Sequence, residues 1–241
     1  MAKIHMLLQS KGGVGKSFVS AMLAQYKQAK GENPFCIDSD PMNATFTGYK
    51  ALSVRKLALL DGDEIDQRNF DLLIEWLDKV DDDAIIDNGA ATFVPLVNYL
   101  MSNETPALLA EMGHELVIHT VVTGGQALLD TAGCVSQLAG QFLDPATFVV
   151  WLNPYWGAIE HEGKTFWQFK TYKDYQARIA AVVSIPDLQA GTFGRDVEDM
   201  LKARLTFKEA LAQADRPIAV RHRLKMYRKA LFDEMDAALV L

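Results

Sequence analysis

Several features that assign a chain to a special class are missing from this sequence of 241 residues. Only two cysteines are present, which excludes a disulfide-stabilised scaffold and fits a reducing compartment. No uncharged apolar run approaches the roughly 18 residues of a membrane helix. The apolar run Ile4–Leu8 is too short for a signal peptide and leads directly into Lys11 and glycines. We therefore expect a cytoplasmic protein.

Basic residues are also in deficit, with 24 Lys and Arg against 31 Asp and Glu and a net charge of −7. This balance argues against a protein that coats nucleic acid over its whole surface. Apolar residues make up 49% and charged residues 23% of the chain, which excludes wholesale disorder. The sequence has no repeat or linker. We expect one domain over residues 1–241, with a C-terminal helical segment from about residue 195 to residue 241.

Short apolar runs alternate with longer segments of helical period. The runs typical of buried strands are residues 4–8, 34–37, 84–86, 116–122, 148–152 and 179–183. The helical segments are residues 17–29, 70–79 and 126–138, followed by a run from residue 195. Residues 45–66 show no clean pattern and are interpreted as an insertion or a mobile region. The alternation predicts an α/β fold with a mainly parallel twisted sheet and helices on both faces.

The loop after the first predicted strand carries the strongest motif. It reads Lys11-Gly12-Gly13-Val14-Gly15-Lys16-Ser17 and opens a predicted helix. Glycines let successive backbone N–H groups point at an anion, and the helix N-terminus adds partial positive charge. Lys16 is predicted to reach the β- and γ-phosphates of a nucleotide, and Ser17 to bind Mg²⁺. Ser10 stands where the common phosphate-loop pattern has its first glycine.

This motif resembles the deviant Walker A sequence K-G-G-x-G-K-[ST] of the ParA/MinD family of ATPases. The resemblance implies a single P-loop NTPase domain that binds ATP or ADP with Mg²⁺, with residues from Lys11 to Phe18 on the nucleotide. It also implies an ATP-bound homodimer in which Lys11 of one subunit reaches the phosphates of the other. Hydrolysis would be slow until a partner protein completes the site.

Carboxylates follow the next two predicted strands, at the edge of the sheet where ligands bind. Asp38 and Asp40 lie in a segment that resembles switch I of the family, although Met42 replaces the usual glutamine. The resemblance implies that Asp40 orients the attacking water and that Asp38 supports the metal. Asp87 ends the third predicted strand in a Walker B arrangement and is predicted to hold Mg²⁺ through a water.

Later strands give weaker signals. Asn153 and Pro186 follow two of them, and the resemblance implies that both contact adenine, although simple strand termination explains them equally well. Cys36 and Cys134 are interpreted as buried structural thiols rather than ligands of an iron–sulfur cluster.

The segment from Arg216 to Lys229 holds six basic and no acidic residues. It is interpreted either as a patch for DNA or an anionic membrane surface, or as the solvated face of a docked helix.

Three further stretches, residues 1–6, 111–130 and 149–157, resemble plasmid conjugal transfer proteins. The sequence therefore predicts a Mg²⁺-dependent ATPase that positions cargo or a transfer or partition complex, at the nucleoid or the inner membrane surface. The alternative is a nucleotide-gated interaction module with little hydrolysis, which Ser10 and Met42 keep open. An enzyme acting on a small molecule is a third hypothesis, without a second polar cluster to support it.

Overall fold

The computed structural model describes residues 1–62, 64–142, 145–187 and 192–241. The strands are β1 (Lys3–Leu7), β2 (Phe35–Asp38), β3 (Arg55–Lys56), β4 (Leu60–Asp61), β5 (Glu64–Ile65), β6 (Ala84–Asp87), β7 (Glu115–Thr123), β8 (Thr147–Asn153), β9 (Glu160–His161), β10 (Lys164–Thr165) and β11 (Ile179–Ser184). The α-helices are α1 (Lys16–Ala29), α2 (Asn69–Leu77), α3 (Phe93–Ser102), α4 (Thr105–Glu111), α5 (Leu128–Gln141), α6 (Lys170–Tyr175), α7 (Thr192–Lys202), α8 (Phe207–Ala212) and α9 (Ile218–Ala237).

The central sheet has seven strands in the order β11-β8-β7-β1-β6-β2-β3, and all neighbouring pairs are parallel. Successive residues of each strand point to opposite faces, so Ile85 packs in one core and Ile86 in the other. Helices α1, α8 and α9 cover the first face, and α2, α3 and α4 cover the second. The predicted fold class and all six predicted strands are confirmed.

The segment without a clean pattern belongs to the folded core. Its described residues form two 3-10 turns, strand β3 and the β4–β5 hairpin. Phe46, Tyr49 and Leu57 are buried, which indicates a packed connection rather than a loose insertion. Pattern reading also missed α3, α4 and α6, because these helices are short and two of them are nearly continuous in apolar residues.

The C-terminal segment folds as three helices, and α9 places Leu224, Tyr227 and Leu231 in the core, as its helical spacing predicts. Cys36 and Cys134 are both buried free thiols, as predicted. Among the described residues, no helix is long and apolar enough to span a bilayer.

A chain of buried polar groups runs beneath α1. Trp151 Nε1 donates to His119 Nδ1 at 2.9 Å, and His119 Nε2 lies 2.9 Å from His5 Nδ1. Because an indole nitrogen can only donate, His119 carries its proton on Nε2 and donates it to His5. His5 then carries its own proton on Nε2, 3.5 Å from Asp83 Oδ2. Each hydrogen bond from Trp151 to Asp83 has one donor and one acceptor only when both histidines are neutral.

Asp83 ends the chain in an ion pair. Lys27 Nζ lies 2.5 Å from Asp83 Oδ2, and the backbone N–H of Lys3 donates to the other carboxylate oxygen at 2.7 Å. Burial alone would raise the pKa of Asp83, but the hydrogen bonds from His5, Lys27 and Lys3 together lower it below its usual range. Burial lowers the pKa of both His5 and His119.

We predict that this series of hydrogen-bonded side chains makes the nucleotide-free protein less stable in mild acid. Below pH 6.5, the ordinary pKa of histidine, His5 and His119 bind protons in the unfolded chain but stay neutral in the folded protein. Asp87 acts in the opposite direction, because burial raises its pKa to about 7 and the folded state holds that proton. The net difference of one proton should lower the free energy of unfolding by about 1 kcal/mol between pH 6.5 and pH 5.5.

Urea unfolding at the two pH values measures this loss. Asp87→Asn removes the opposing proton and should roughly double the loss, whereas replacement of the exposed His161 should leave it unchanged. A free energy of unfolding that stays flat or rises on acidification would contradict the neutral assignment of His5 and His119.

Candidate functional site

The site lies where the carboxyl ends of β1, β6 and β2 meet, at the loop between β1 and α1. Gly13 and Gly15 adopt φ values of +73° and +107°, a region that disfavours side chains. A Cβ atom on Gly15 would also lie 2.7 Å from Asn153 Nδ2. Ser10 does not adopt a positive φ, so the loop does not need glycine at that position. The departure from the common pattern therefore causes no backbone strain.

Lys16 lies folded back over this loop. Its Nζ donates to the carbonyl of Lys11 at 2.9 Å, and the residue is only 8% exposed. Burial lowers the pKa of Lys16, although the nearby charges of Asp87 and Asp40 act against the shift. A cation that is buried against carboxylates at the start of a helix is suited to binding a polyphosphate.

The other lysine of the motif points elsewhere. Lys11 Nζ lies 2.7 Å from Asp130 Oδ2 at the start of α5, and both side chains are about half exposed. The two lysines therefore occupy different environments within one motif, one buried in the site and one at its surface. Asp130 has no sequence signal of its own, because it comes close only through the packing of α5 against β7, the neighbour of β1 in the sheet.

The two aspartates after β2 have distinct partners. Asp38 is fully buried, and its Oδ2 accepts from the backbone and hydroxyl of Thr47 at 2.8 and 2.9 Å. Its Oδ1 accepts from the backbone of Asp40 at 3.1 Å. Asp38 thus organises the segment that carries Asp40, in addition to its predicted support of the metal.

Asp40 lies against the loop that follows β6. Its Oδ1 accepts from the backbone N–H groups of Met42 and Asn43 at 2.9 and 3.0 Å. A Cβ atom on Gly89 would lie 2.6 Å from Asp40 Cγ, so the segment after β2 and the loop after β6 are in direct contact. Ser39 adds a second link by donating to the carbonyl of Asp87 at 3.0 Å. Movement of one segment therefore requires an adjustment of the other.

The predicted metal residues fit Mg²⁺ chemically. Asp87 Oδ1 accepts from Ser20 at 2.9 Å, whereas its buried Oδ2 has no hydrogen-bond partner among the described residues. Burial raises the pKa of Asp87 to about 7, the nearby hydroxyls of Ser17 and Ser20 oppose the shift, and the charge of Asp38 adds to it. A cation beside these oxygens would restore the ionised carboxylate. Oxygen donors are the ligands that Mg²⁺ prefers.

These residues do not make a closed metal site. Within the described ranges, no group of three or more His, Cys, Asp and Glu side chains could hold a metal ion. A magnesium ion at this position would depend on the nucleotide phosphates and on water for its remaining ligands.

A cleft of about 200 Å³ adjoins the phosphate loop. Its lining includes Gly13 and Gly15 and three further residues predicted to contact the nucleotide, Phe18, Asn153 and Pro186. Asn153 Nδ2 donates to the carbonyl of Val14 at 2.8 Å, which ties the end of β8 to the phosphate loop. The structure therefore brings together all of the predicted site residues except Lys11, whose side chain turns to Asp130.

Sequence reasoning missed several residues that line this cleft. Tyr155 and Trp156 follow the asparagine that ends β8, and Glu198 and Tyr227 come from α7 and α9. The adjacent aromatics after a strand end were a readable signal, because large apolar side chains in such a loop require a partner or a function. The contribution of α7 and α9 had no such signal, since only the fold brings these helices to the cleft.

Comparisons with known proteins agree with this geometry. The family model for the CobQ/CobB/MinD/ParA nucleotide binding domain matches residues 6–233. Two Escherichia coli proteins, each called Protein TraL, are 61% and 58% identical to this chain over 241 residues, which is 100% of each chain.

A solved chain of the MinC:MinD cell division protein complex from Aquifex aeolicus has the same fold. Its TM-score is 0.54 at 13% sequence identity, and the match covers 96% of both chains. The predicted resemblance is confirmed by the family match and by the full-length relatives. This chain belongs to the CobQ/CobB/MinD/ParA family of nucleotide-binding domains.

Proposed function

We propose that the protein is a Mg²⁺-dependent ATPase that forms a homodimer when it binds ATP. The observation that carries this proposal is that the two lysines of the phosphate loop lie in different environments. Lys16 is buried beside Asp87 and Asp40, where it can bind phosphates of its own subunit. Lys11 is about half exposed, and within the described part of the chain its ion pair is with the exposed carboxylate of Asp130, where a second subunit can reach it.

The proposed roles follow from these positions. The backbone of residues 11–18 and Lys16 bind the phosphates, while Ser17, Asp87 and Asp38 serve the metal. When bound, Mg²⁺ would neutralise phosphate charge. Oδ1 of Asp40 accepts from the backbone of Met42 and Asn43, and among the described residues Oδ2 has no hydrogen-bond donor. Asp40 therefore holds the attacking water through Oδ2. Residues 1–241 act as one domain.

The surface around the site suits a face-to-face dimer. Met42 and Leu129 are 72% and 58% exposed, although both are large and apolar. Exposed apolar side chains close to a charged site are typical of an interaction surface. In the dimer, Lys11 would leave Asp130 and stabilise the transition-state charge in the partner site.

We infer a role in plasmid conjugal transfer, in which the ATPase cycle positions a transfer or partition complex. Full-length identity of 61% to Protein TraL supports this assignment. A slow cycle would be stimulated by an activating or cargo protein of that system, at the nucleoid or the inner membrane surface.

The basic segment 216–229 is the proposed contact to DNA or to an anionic membrane surface. Two of its charges are already neutralised by ion pairs. Arg223 Nε lies 2.5 Å from Asp196 Oδ2, and Lys229 Nζ lies 2.5 Å from Asp233 Oδ2. The other four basic side chains have no ion pair among the described residues: Arg216, Arg221, Lys225 and Arg228. These four side chains are the ones available to phosphate groups.

Turnover and sedimentation of the purified protein test the proposal. We expect Mg²⁺-dependent ATP hydrolysis and a doubled mass with ATP but not with ADP. The rate should rise on addition of DNA or anionic liposomes, whichever is the platform. Tight binding of ATP with negligible turnover under every condition would instead identify a nucleotide-gated interaction module.

A further inference from the structure

Two adjacent aromatic residues stand at the mouth of the cleft beside the phosphate loop. Tyr155 and Trp156 both line this cleft, and they are 50% and 59% exposed. Exposure of two such rings forgoes the burial that stabilises most aromatic side chains. The cleft also reaches Gly13 and Gly15, so a ligand with phosphates on the loop can extend into it.

The rings are held in place by directed contacts. Trp156 Nε1 donates to the carbonyl of Gly13 at 3.2 Å, and Tyr155 Oη donates to Glu198 at 3.2 Å. The two rings meet edge to face, with centroids 4.9 Å apart at 88°. Asn153 Oδ1 accepts from the backbone of Tyr155 at 3.2 Å, which secures the turn before them. A ring that is exposed and yet oriented from several sides is prepared for a planar ligand.

We propose that Trp156 is the platform on which the nucleobase of the bound nucleotide stacks. This inference rests on the proposed function, and it assigns the binding of the base mainly to an aromatic surface. Asn153 is less available for that purpose, because its amide already joins Val14 to Tyr155. The hydrogen bond from Trp156 to Gly13 also couples the platform to the loop that holds the phosphates.

The affinity for ADP tests this proposal. The protein is expected to stay monomeric with ADP, so dimerisation does not contribute to the measured affinity. Stacking of one base on an aromatic ring contributes enough that Trp156→Ala should weaken ADP binding roughly 5- to 150-fold. Trp156→Phe keeps an aromatic face and loses the indole N–H, and it should stay within about threefold of the wild type. Trp167→Ala is the matched control, since Trp167 is 47% exposed but does not line the cleft.

Isothermal titration calorimetry gives the affinities, and thermal melting shows that each variant is folded. Unchanged ADP affinity in Trp156→Ala would overturn the proposal, as would an equal loss in Trp156→Phe, which would assign the effect to the bond with Gly13. Loss of ATP-dependent dimerisation with intact ADP affinity would place Trp156 at the subunit interface instead. A wild-type protein that binds no nucleotide would refute the proposed function itself.

Discussion

Lys11→Ala should lower the rate of ATP hydrolysis about 1,000-fold, the scale of a cationic group supplied in trans to a phosphoryl-transfer site. ATP affinity should remain within a few-fold of the wild type, because Lys16 and not Lys11 lies buried beside Asp87 and Asp40. Single-turnover assays and equilibrium binding separate these two effects. Sedimentation with ATP would also show whether the dimer forms without the Lys11 charge.

Asp130→Asn is the matched control for this experiment. It releases Lys11 from an ion pair whose two side chains are 48% and 56% exposed. Such surface pairs are worth at most about 1 kcal/mol, so turnover should change by less than about fivefold. If Lys11→Ala hydrolyses ATP at the wild-type rate, the proposed action of Lys11 across a dimer is wrong.

Asp40→Ala should reduce turnover by about 100- to 10,000-fold, the range that a positioned base or water-orienting group contributes. Nucleotide binding should persist, since Asp40 does not belong to the phosphate loop. Slow hydrolysis should then trap the ATP-bound dimer together with any protein or surface that it engages. A pull-down with this variant and ATP would identify that partner.

Asp40→Asn separates chemistry from loop structure. The amide oxygen can still accept from Met42 and Asn43, so the local turn survives while the negative charge is lost. Both variants should therefore be slow. Full activity of Asp40→Asn beside an inactive Asp40→Ala would reduce the role of Asp40 to holding the turn. Asp61→Asn, at an exposed position, is the control for loss of one acidic side chain and should leave turnover unchanged.

The strands and the phosphate loop could be read from the sequence because their signals are local. A buried parallel strand is a short apolar run, and the glycines at 13 and 15 are required by backbone angles that few other residues adopt. The carboxylates at the ends of β2 and β6 followed from chain order alone. Pattern reading failed for α3, α4 and α6, where a few turns of helix look like strand or loop, and for the described part of residues 45–66, which packs against the core.

The remaining features depend on contacts between distant parts of the chain. The ion pair of Lys11 with Asp130 joins a loop to a helix more than 100 residues away, and no spacing rule connects them. His5 and His119 read as unremarkable positions in apolar strands, yet register across β1 and β7 makes them neighbours. Ser10 replaces the first glycine of the common phosphate-loop pattern, and the sequence alone does not show whether this matters. The structure shows that it does not, because the backbone at Ser10 has no positive φ.

Helix α1 joins the two polar centres of the molecule. It has 14 residues, about 21 Å of helix, with Lys16 at the nucleotide end and Lys27 in the ion pair with Asp83 at the other. A helix that is secured at both ends and buried on all sides from Val19 to Lys27 should open only with the whole fold, so we expect its amide hydrogens to exchange through global unfolding. The loops after β2, β6 and β8 are held by a few hydrogen bonds, among them those of Ser39 to Asp87 and of Asn153 to Val14, and should open at lower free energy. Nucleotide exchange can therefore proceed through these loops while α1 stays folded.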